Sequence, residues 1–474
     1  MHQPITLILL SAWLCTTIHA QQPLTLDSCI KLAMTNNKDL KIAREKVVVT
    51  NYEHQAALTN YLPKLSATGS YLFTPKEISL LNERQKEALR NFGTNIQQIA
   101  TAIPALLPVI QDLPLESSLN AAGSSLAEAF RTDTRHIWTG SITVTQPIYM
   151  GGKIKAYDHI TRMAGQIAGW QEKKVIQDLT AKVENAFWQV VELTNKHSLA
   201  ESFLHLVKTL DHNVERMIKA GVATQADGLS VKVKVNEAEM ALTRLNNGLH
   251  LSRMALCQLC GIDLSTPLQL ADEDIDSQDT LSMPLANPDI PSVLNRRPEL
   301  KTLETVCDIY LKKINLIQAD YLPSIALMGG YLVSNPSLYN GFEKKFNGSW
   351  NIGILVNIPI FKWGEGKYKV KAAQIEADIM RHELEKAREE VTLQVTQATY
   401  KNHEAYKQLA VAQRNLEKAN ENLRYANLGH QEGVATSFQV MEAQTAWLAA
   451  HSARIDAHIA LKISEAHLKL VTGY

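Results

Sequence analysis

Two hydrophobic periods alternate along this chain, and they do so twice in the same order. Every-second-residue alternation marks "LSATGSYLF" from Leu65 and "HIWTGSITVTQPI" from His136; Trp138, Ile142 and Val144 share one face there, Thr139, Ser141, Thr143 and Thr145 the other. The alternation returns after Ser324 and around 350–358, where Trp350, Ile352, Ile354, Val356 and Ile358 fall together. Strands are therefore predicted at about 65–74, 137–147, 324–333 and 349–359.

Elsewhere the period is helical. Segments 153–220 and 366–432 contain no proline. At 1.5 Å per residue each makes a rod roughly 100 Å long. Leu199, Phe203, Leu206, Leu210, Asn213 and Met217 step by four and three, the spacing of helix-on-helix packing. Return helices are predicted at 229–260 and 441–472. A return helix and the helix predicted at 291–320 together match one long helix, so the two are expected to stack, with 262–289 bulging out as an equatorial linker.

The two halves are one pattern written twice. "YLPKLSATGSY" from Tyr61 aligns with "YLPSIALMGGY" from Tyr321 at an offset of 260, and "WTGSITVTQPI" from Trp138 aligns with "WNIGILVNIPI" from Trp350 at 212. The second offset persists to the ends of both halves, apart from an expected two-residue adjustment near Gly152 and Gly366. The repeats span 21–261 and 290–474. The first carries 48 more residues between its strands, an insertion within 75–135 that holds Pro104, Pro108 and Pro114 and reads as a partly helical loop.

"GVAT" occurs at 221–224 and at 433–436. Gly221 and Gly433 stand where a helix ends and positive φ is needed. Thr224 and Thr436 suit an N-cap, with Asp227 and Gln439 at capping-box spacing. Each string reads as the tip of an antiparallel helical hairpin.

Composition changes little. The 474 residues are 45% hydrophobic, with 48 basic and 48 acidic side chains, so no global charge draws nucleic acid or an anionic surface. Residues 1–20 read as a cleavable export signal, and Trp13 and Leu14 are too bulky to make Cys15 a lipidation site. No later apolar run reaches the ~18 residues of a spanning helix, so any membrane crossing is by strands.

Cys257 and Cys260 form a C-x-x-C without a second pair or paired histidines, which favours helix packing over a redox pair or zinc site. "GGKIK" from Gly151 and "GEGKYK" from Gly364 follow strands and open helices, but Pro147 stands where a phosphate loop needs its first glycine and Ile154 where it needs Ser or Thr. No nucleophile and base stand together, and nothing calls for a metal or cofactor, so no enzyme is expected.

Four strands cannot close a barrel, and lipid tolerates no exposed strand edge, so several chains must share one barrel. With its duplicated plan, "RRPEL" at 296–300, the two Y-L-P strand starts, the Pro147 and Gly151 to Lys153 junction and both G-x-x-T tips, the chain resembles the TolC-type outer-membrane efflux and secretion channels. The resemblance implies an α+β membrane protein with an internal twofold repeat: a homotrimer in which three four-stranded sheets form a transmembrane β-barrel and long antiparallel helices form a coiled-coil barrel across the periplasm. It implies an outer-membrane location, lipid around the strands, and partners in a periplasmic adaptor and an inner-membrane transporter.

Carried over by position, Gly221, Val222, Ala223, Thr224, Gly433, Val434, Ala435 and Thr436 would be adaptor-docking tips. Asp227, Gln439 and His430 would lie at the constriction, Asp227 as a cap alone or as cap and gate. Some relatives latch the gate with a tyrosine and an arginine at the places held here by His430 and Ala435. Pro147, Gly152, Pro359 and Gly366 would be barrel-to-helix junctions, and Trp138, Ile142, Val144, Trp350, Ile352, Ile354 and Val356 would face the membrane. The insertion would emerge outside the cell, as a lid or rim or as a tolerated surface loop. The competing reading is an exported coiled-coil structural protein or adhesin without channel activity.

Overall fold

The computed structural model describes residues 23–75, 81–103, 114–130, 134–271, 288–340 and 343–473. The expected export signal, three stretches of the insertion and most of the expected linker lie outside the described residues. Contacts divide the chain into two units: the described parts of 1–52, 162–310 and 375–474, and those of 53–161 and 311–374.

The second unit holds a sheet in the order β1-β2-β3-β4, antiparallel throughout, from β1 (Lys64–Phe73), β2 (His136–Met150), β3 (Ser324–Asn335) and β4 (Asn347–Asn357). Register sorts its chemistry by face. Ser66 meets Thr143, Thr68 meets Ser141 and Ser70 meets Thr139, each pair joined by a hydroxyl hydrogen bond of 2.7 Å. On the opposite face Ala67, Ile142, Tyr331 and Trp350 form one cross-strand row, and Leu65, Val144, Gly329 and Ile352 the next. Trp350 is 74% exposed and Ile352 and Ile354 67%, so the apolar face is uncovered among the described residues.

The insertion is an organised helical cluster of α3 (Glu83–Arg90), α4 (Phe92–Thr101) and α5 (Leu115–Ala129). Asn120 ties two of them: its Oδ1 accepts from the Gly93 and Thr94 amides at 2.7 and 3.2 Å, and its Nδ2 donates to Thr94 Oγ1 at 2.8 Å.

Helices dominate the other unit. α1 (Leu26–Asn36) and the start of α2 (Lys38–Leu58), α6 (Lys153–Lys219) and α7 (Gln225–Cys260) belong to the first half of the chain. α8 (Ile290–Arg296), α9 (Pro298–Ala319), α10 (Glu365–Gln431) and α11 (Ser437–Thr472) belong to the second. Several expectations need correction.

The seam on α6 runs through Phe203, Val207, Leu210 and Val214. Leu206 and Asn213 are not in it, because two overlapping four-three ladders fit the same sequence and the tertiary partner selects one.

Both long helices comprise 67 residues, from Lys153 and from Glu365, so the 212 offset holds without adjustment and Gly152 corresponds to Gly364. Gly366, expected as the junction glycine, lies inside the first turn of α10; the positive φ values fall on Trp363 and Gly364, as they do on Gly151 and Gly152.

The return helix begins at Gln225, not 229, since Thr224 caps it directly. The helix predicted at 291–320 is interrupted at Arg297, as the first is at Asn37. Finally, α7 ends against its own repeat: Gly261 lies so close to Asn36 that a Cβ there would sit 2.7 Å from the Asn36 Cβ. Gly473 meets Arg296 in the second repeat in the same way. The expected stacking of 229–260 on 291–320 is replaced by these joints within each repeat.

Candidate functional site

The two hairpin tips are built by the same local chemistry. α6 ends in a turn where Gly221 takes φ +78° and the Val222 amide reaches back to the Met217 carbonyl at 3.0 Å. Gly433 takes φ +76°, and the Val434 and Ala435 amides both reach the Gly429 carbonyl, at 2.8 and 3.0 Å. The chain then re-enters helix through a capping box. Thr224 Oγ1 accepts from the Asp227 amide at 3.2 Å, while Asp227 Oδ2 accepts from the Thr224 amide at 3.0 Å and its hydroxyl at 2.7 Å. In the second tip Gln439 Oε1 accepts from the Thr436 amide at 2.8 Å.

The two tips differ in charge. The bonds from the Thr224 hydroxyl and amide hold the Asp227 carboxyl below its ordinary value. Gln439 occupies the same place without a charge. His430 Nε2 lies 3.2 Å from Ser437 Oγ, so the imidazole closes its own tip, from the last turn of α10 to the first of α11. Ser437 is a partner that sequence reading missed; it is the residue next to the Thr436 cap.

Apolar side chains crown both tips. Val222 is 69% exposed and Val434 83%, and Phe438 and Leu229 in the first turns of the return helices are also exposed. Below the tips, Val440 and Met441 of α11 pack into the Phe203, Val207, Leu210, Val214, Val231 and Ala238 cluster, so the second tip is braced on the first hairpin.

At the other candidate positions, Pro147 lies in β2 where the register against β3 shifts before Tyr149. Pro359 follows the end of β4. Gly151 approaches Ala319 so closely that a Cβ there would sit 2.7 Å from its carbonyl oxygen, and Lys153 Nζ meets Asp320 Oδ1 at 2.7 Å beside it. Trp138, Ile142, Val144, Trp350, Ile352, Ile354 and Val356 all lie on the apolar face of the sheet, by register. Aromatic residues mark both ends of this face: Tyr71 and Trp138 in contact at 4.4 Å between ring centroids at one, Phe361 and Trp363 at 5.0 Å beyond the other.

The chain carries a sheet apolar on one side and two helical hairpins, each joining a helix of 67 residues to one of 36. The profile of the family described as "Outer membrane efflux protein" matches residues 97–262 and 290–474. The chain belongs to that outer membrane efflux protein family. It is 23% identical over 456 residues to the probable efflux pump outer membrane protein TtgC of Pseudomonas putida, covering 94% of this chain and 82% of the relative. Its fold is that of a membrane protein from Pseudomonas aeruginosa (TM-score 0.73, 15% identity, 94% of this chain and 92% of that one). It is likewise that of the outer membrane protein VceC of Vibrio cholerae (TM-score 0.70, 14% identity, 94% and 96%). The resemblance to TolC-type channels therefore stands on nearly the whole length of this family member.

Proposed function

We propose that the protein is the exit duct of an efflux or type I secretion system. Three copies close a β-barrel in the outer membrane and a helical tunnel in the periplasm, and the duct conducts substrates passively from an adaptor and an inner-membrane transporter to the exterior. The observation that carries this reading is the four-stranded sheet, which has an apolar face uncovered among the described residues, an opposite face lined with hydroxyls along β1 and β2, and β1 and β4 at its edges. Lipid accepts such a sheet only when every edge is paired and the polar face turns inward. Ten residues at about 3.4 Å, tilted about 45°, cover roughly 24 Å of apolar band, close to what a membrane barrel needs.

The tips supply the docking end: exposed Val222, Val434 and Phe438 offer apolar contacts to adaptor hairpins. In this reading 1–20 directs export and the 83–129 helices project outside the cell. A coiled-coil adhesin would use the helices but leaves the amphipathic sheet without a purpose. Purified protein is expected to migrate as a heat-modifiable trimer and to conduct in a planar bilayer. A monomer without conductance sinks the proposal.

A further inference from the structure

Cys29 on α1 and Cys260 at the end of α7 are 231 residues apart in sequence and meet in the helical core, both fully buried. Cys260 Sγ donates to the Cys29 carbonyl at 3.6 Å, which brings the sulfur against the Cys29 residue. Cys257, one turn earlier, aims its sulfur instead at the Thr266 carbonyl, 4.0 Å away. The C-x-x-C is thus divided: one thiol serves a loop and the other faces a partner from the far end of the first repeat. Among the described residues no group of three His, Cys, Asp or Glu side chains is placed to hold a metal ion.

The backbone around this contact is held on both sides. The Leu24 amide donates to the Gln269 carbonyl at 2.9 Å and the Ala271 amide to the Leu24 carbonyl at 3.0 Å. Beyond the cysteines, Asn37 Nδ2 donates to the Leu259 carbonyl at 2.9 Å, and Gly261 is pressed on Asn36. The sulfurs lie inside a clamp that keeps α1 on α7. The matching positions of the second repeat are Asp289 and Thr472, so the thiol pair is a property of the first joint alone. The neighbouring Cys29 side chain and burial push the Cys260 thiol up.

We propose that Cys29 and Cys260 form a disulfide that locks α1 onto the end of α7. The inference rests on the export reading, since disulfides persist in oxidising compartments. The oxidant is a disulfide, either of a thiol oxidase or of oxidised glutathione. While the chain folds and the sulfurs are still reachable, the thiolate of one cysteine attacks one of the oxidant's sulfurs and releases the other as a thiol; the thiolate of the second cysteine then attacks the sulfur of the first and releases the oxidant's second thiol. Two protons and two electrons leave the protein, and the oxidant becomes two thiols. Because the closed loop is long, the bond restricts the unfolded chain strongly.

The test uses full-length protein, fractionated from cells without reductant, denatured, titrated with a maleimide and mapped by mass spectrometry after digestion. Of the mature chain's four thiols, two are expected to react, Cys257 and Cys307. A peptide linking Cys29 to Cys260 is expected, lost on reduction, absent from Cys260→Ser and kept in Cys257→Ser. Reductant is expected to lower the thermal midpoint of the wild type but not of Cys260→Ser; should that variant not fold, the wild-type map alone decides. Four free thiols in protein recovered with the outer membrane, or a Cys257 to Cys260 link, overturns the disulfide and leaves the channel reading standing. Protein found only in the cytoplasmic fraction overturns the export reading. The disulfide is then decided by refolding the protein with oxidised and reduced glutathione, where failure to form the Cys29 to Cys260 link overturns it.

Discussion

Asn37 and Arg297 hold the same place in the two repeats, 260 residues apart, and each interrupts a helix in order to bind the last turn of another. Asn37 Nδ2 donates to the Leu259 carbonyl at 2.9 Å, and Arg297 Nη1 to the Leu470 carbonyl at 3.1 Å. Both residues are buried. The orphan carbonyls at a helix end are satisfied by a side chain that has left its own helix to reach them.

Removing either joint residue is expected to loosen its repeat. Asn37 Oδ1 also accepts from the Asp39 and Leu40 amides, so Asn37→Ala loses the cap of α2 as well and costs about 1–2 kcal/mol. Arg297 also donates to Gln394 Oε1 at 3.3 Å and pairs with Glu299, and Arg297→Ala costs about 2 kcal/mol through lost charge-assisted bonds. Thermal midpoints and amide exchange at 257–261 and 468–473 check both; an Arg297→Ala protein as stable as the wild type refutes the assignment.

The two tips are expected to differ in their response to pH. Asp227 has a folded-state pKa held below its ordinary value of 3.8 by its bonds from Thr224. Its stabilising contribution is therefore full above that value and is lost as pH falls through the depressed one. Amide protection factors at 224–228, corrected for the intrinsic pH dependence of exchange, should fall on acidification, whereas those at 436–440, capped by neutral Gln439, should not. Equal responses at both tips contradict the charge-based account.

Gating at the tips is tested by conductance. Asp227→Ala is expected to raise single-channel conductance in a planar bilayer, and Gln439→Ala to change it less. Should both leave it unchanged, Asp227 is a helix cap alone.

Tip glycines are expected to resist a side chain. Gly433→Ala forces an L-residue to φ near +76° and costs about 1–2 kcal/mol, read as fraying of 429–436 in amide exchange. Gly353, in β4 with no atom near its would-be Cβ and no positive φ, is the tolerant control.

The faces of the sheet are expected to differ in their tolerance of charge. Ile352→Arg places a cation on the apolar face, at about 2–4 kcal/mol near mid-membrane, and should deplete protein from urea-washed outer membranes. Thr143→Lys, on the hydroxyl face, should insert normally. Equal insertion of the two contradicts the assignment of faces.

Much of this was legible because it is local. Strand alternation at Trp350 to Ile358, the capping spacing of Thr224 with Asp227 and of Thr436 with Gln439, and the repeated tip glycines each depend on residues within a turn or two of one another. The joint was not legible: Asn36 and Arg296 resemble ordinary polar helix positions, and only the arrival of Gly261 and Gly473 from the other end of each repeat gives them a task. The contact of Cys260 with Cys29 escaped for the same reason, since the nearby Cys257 offered a more obvious partner in sequence.

The sequence by itself determined the period of each segment, the twofold repeat, the hairpin turns and which face of each strand is apolar, because these follow from side-chain spacing and backbone preference along a short stretch. Tertiary structure decided which of two overlapping seams on α6 is buried, which helix meets the end of α7 and which thiols face each other. Those choices are made between segments hundreds of residues apart, where close packing admits one arrangement among several that the local pattern permits equally.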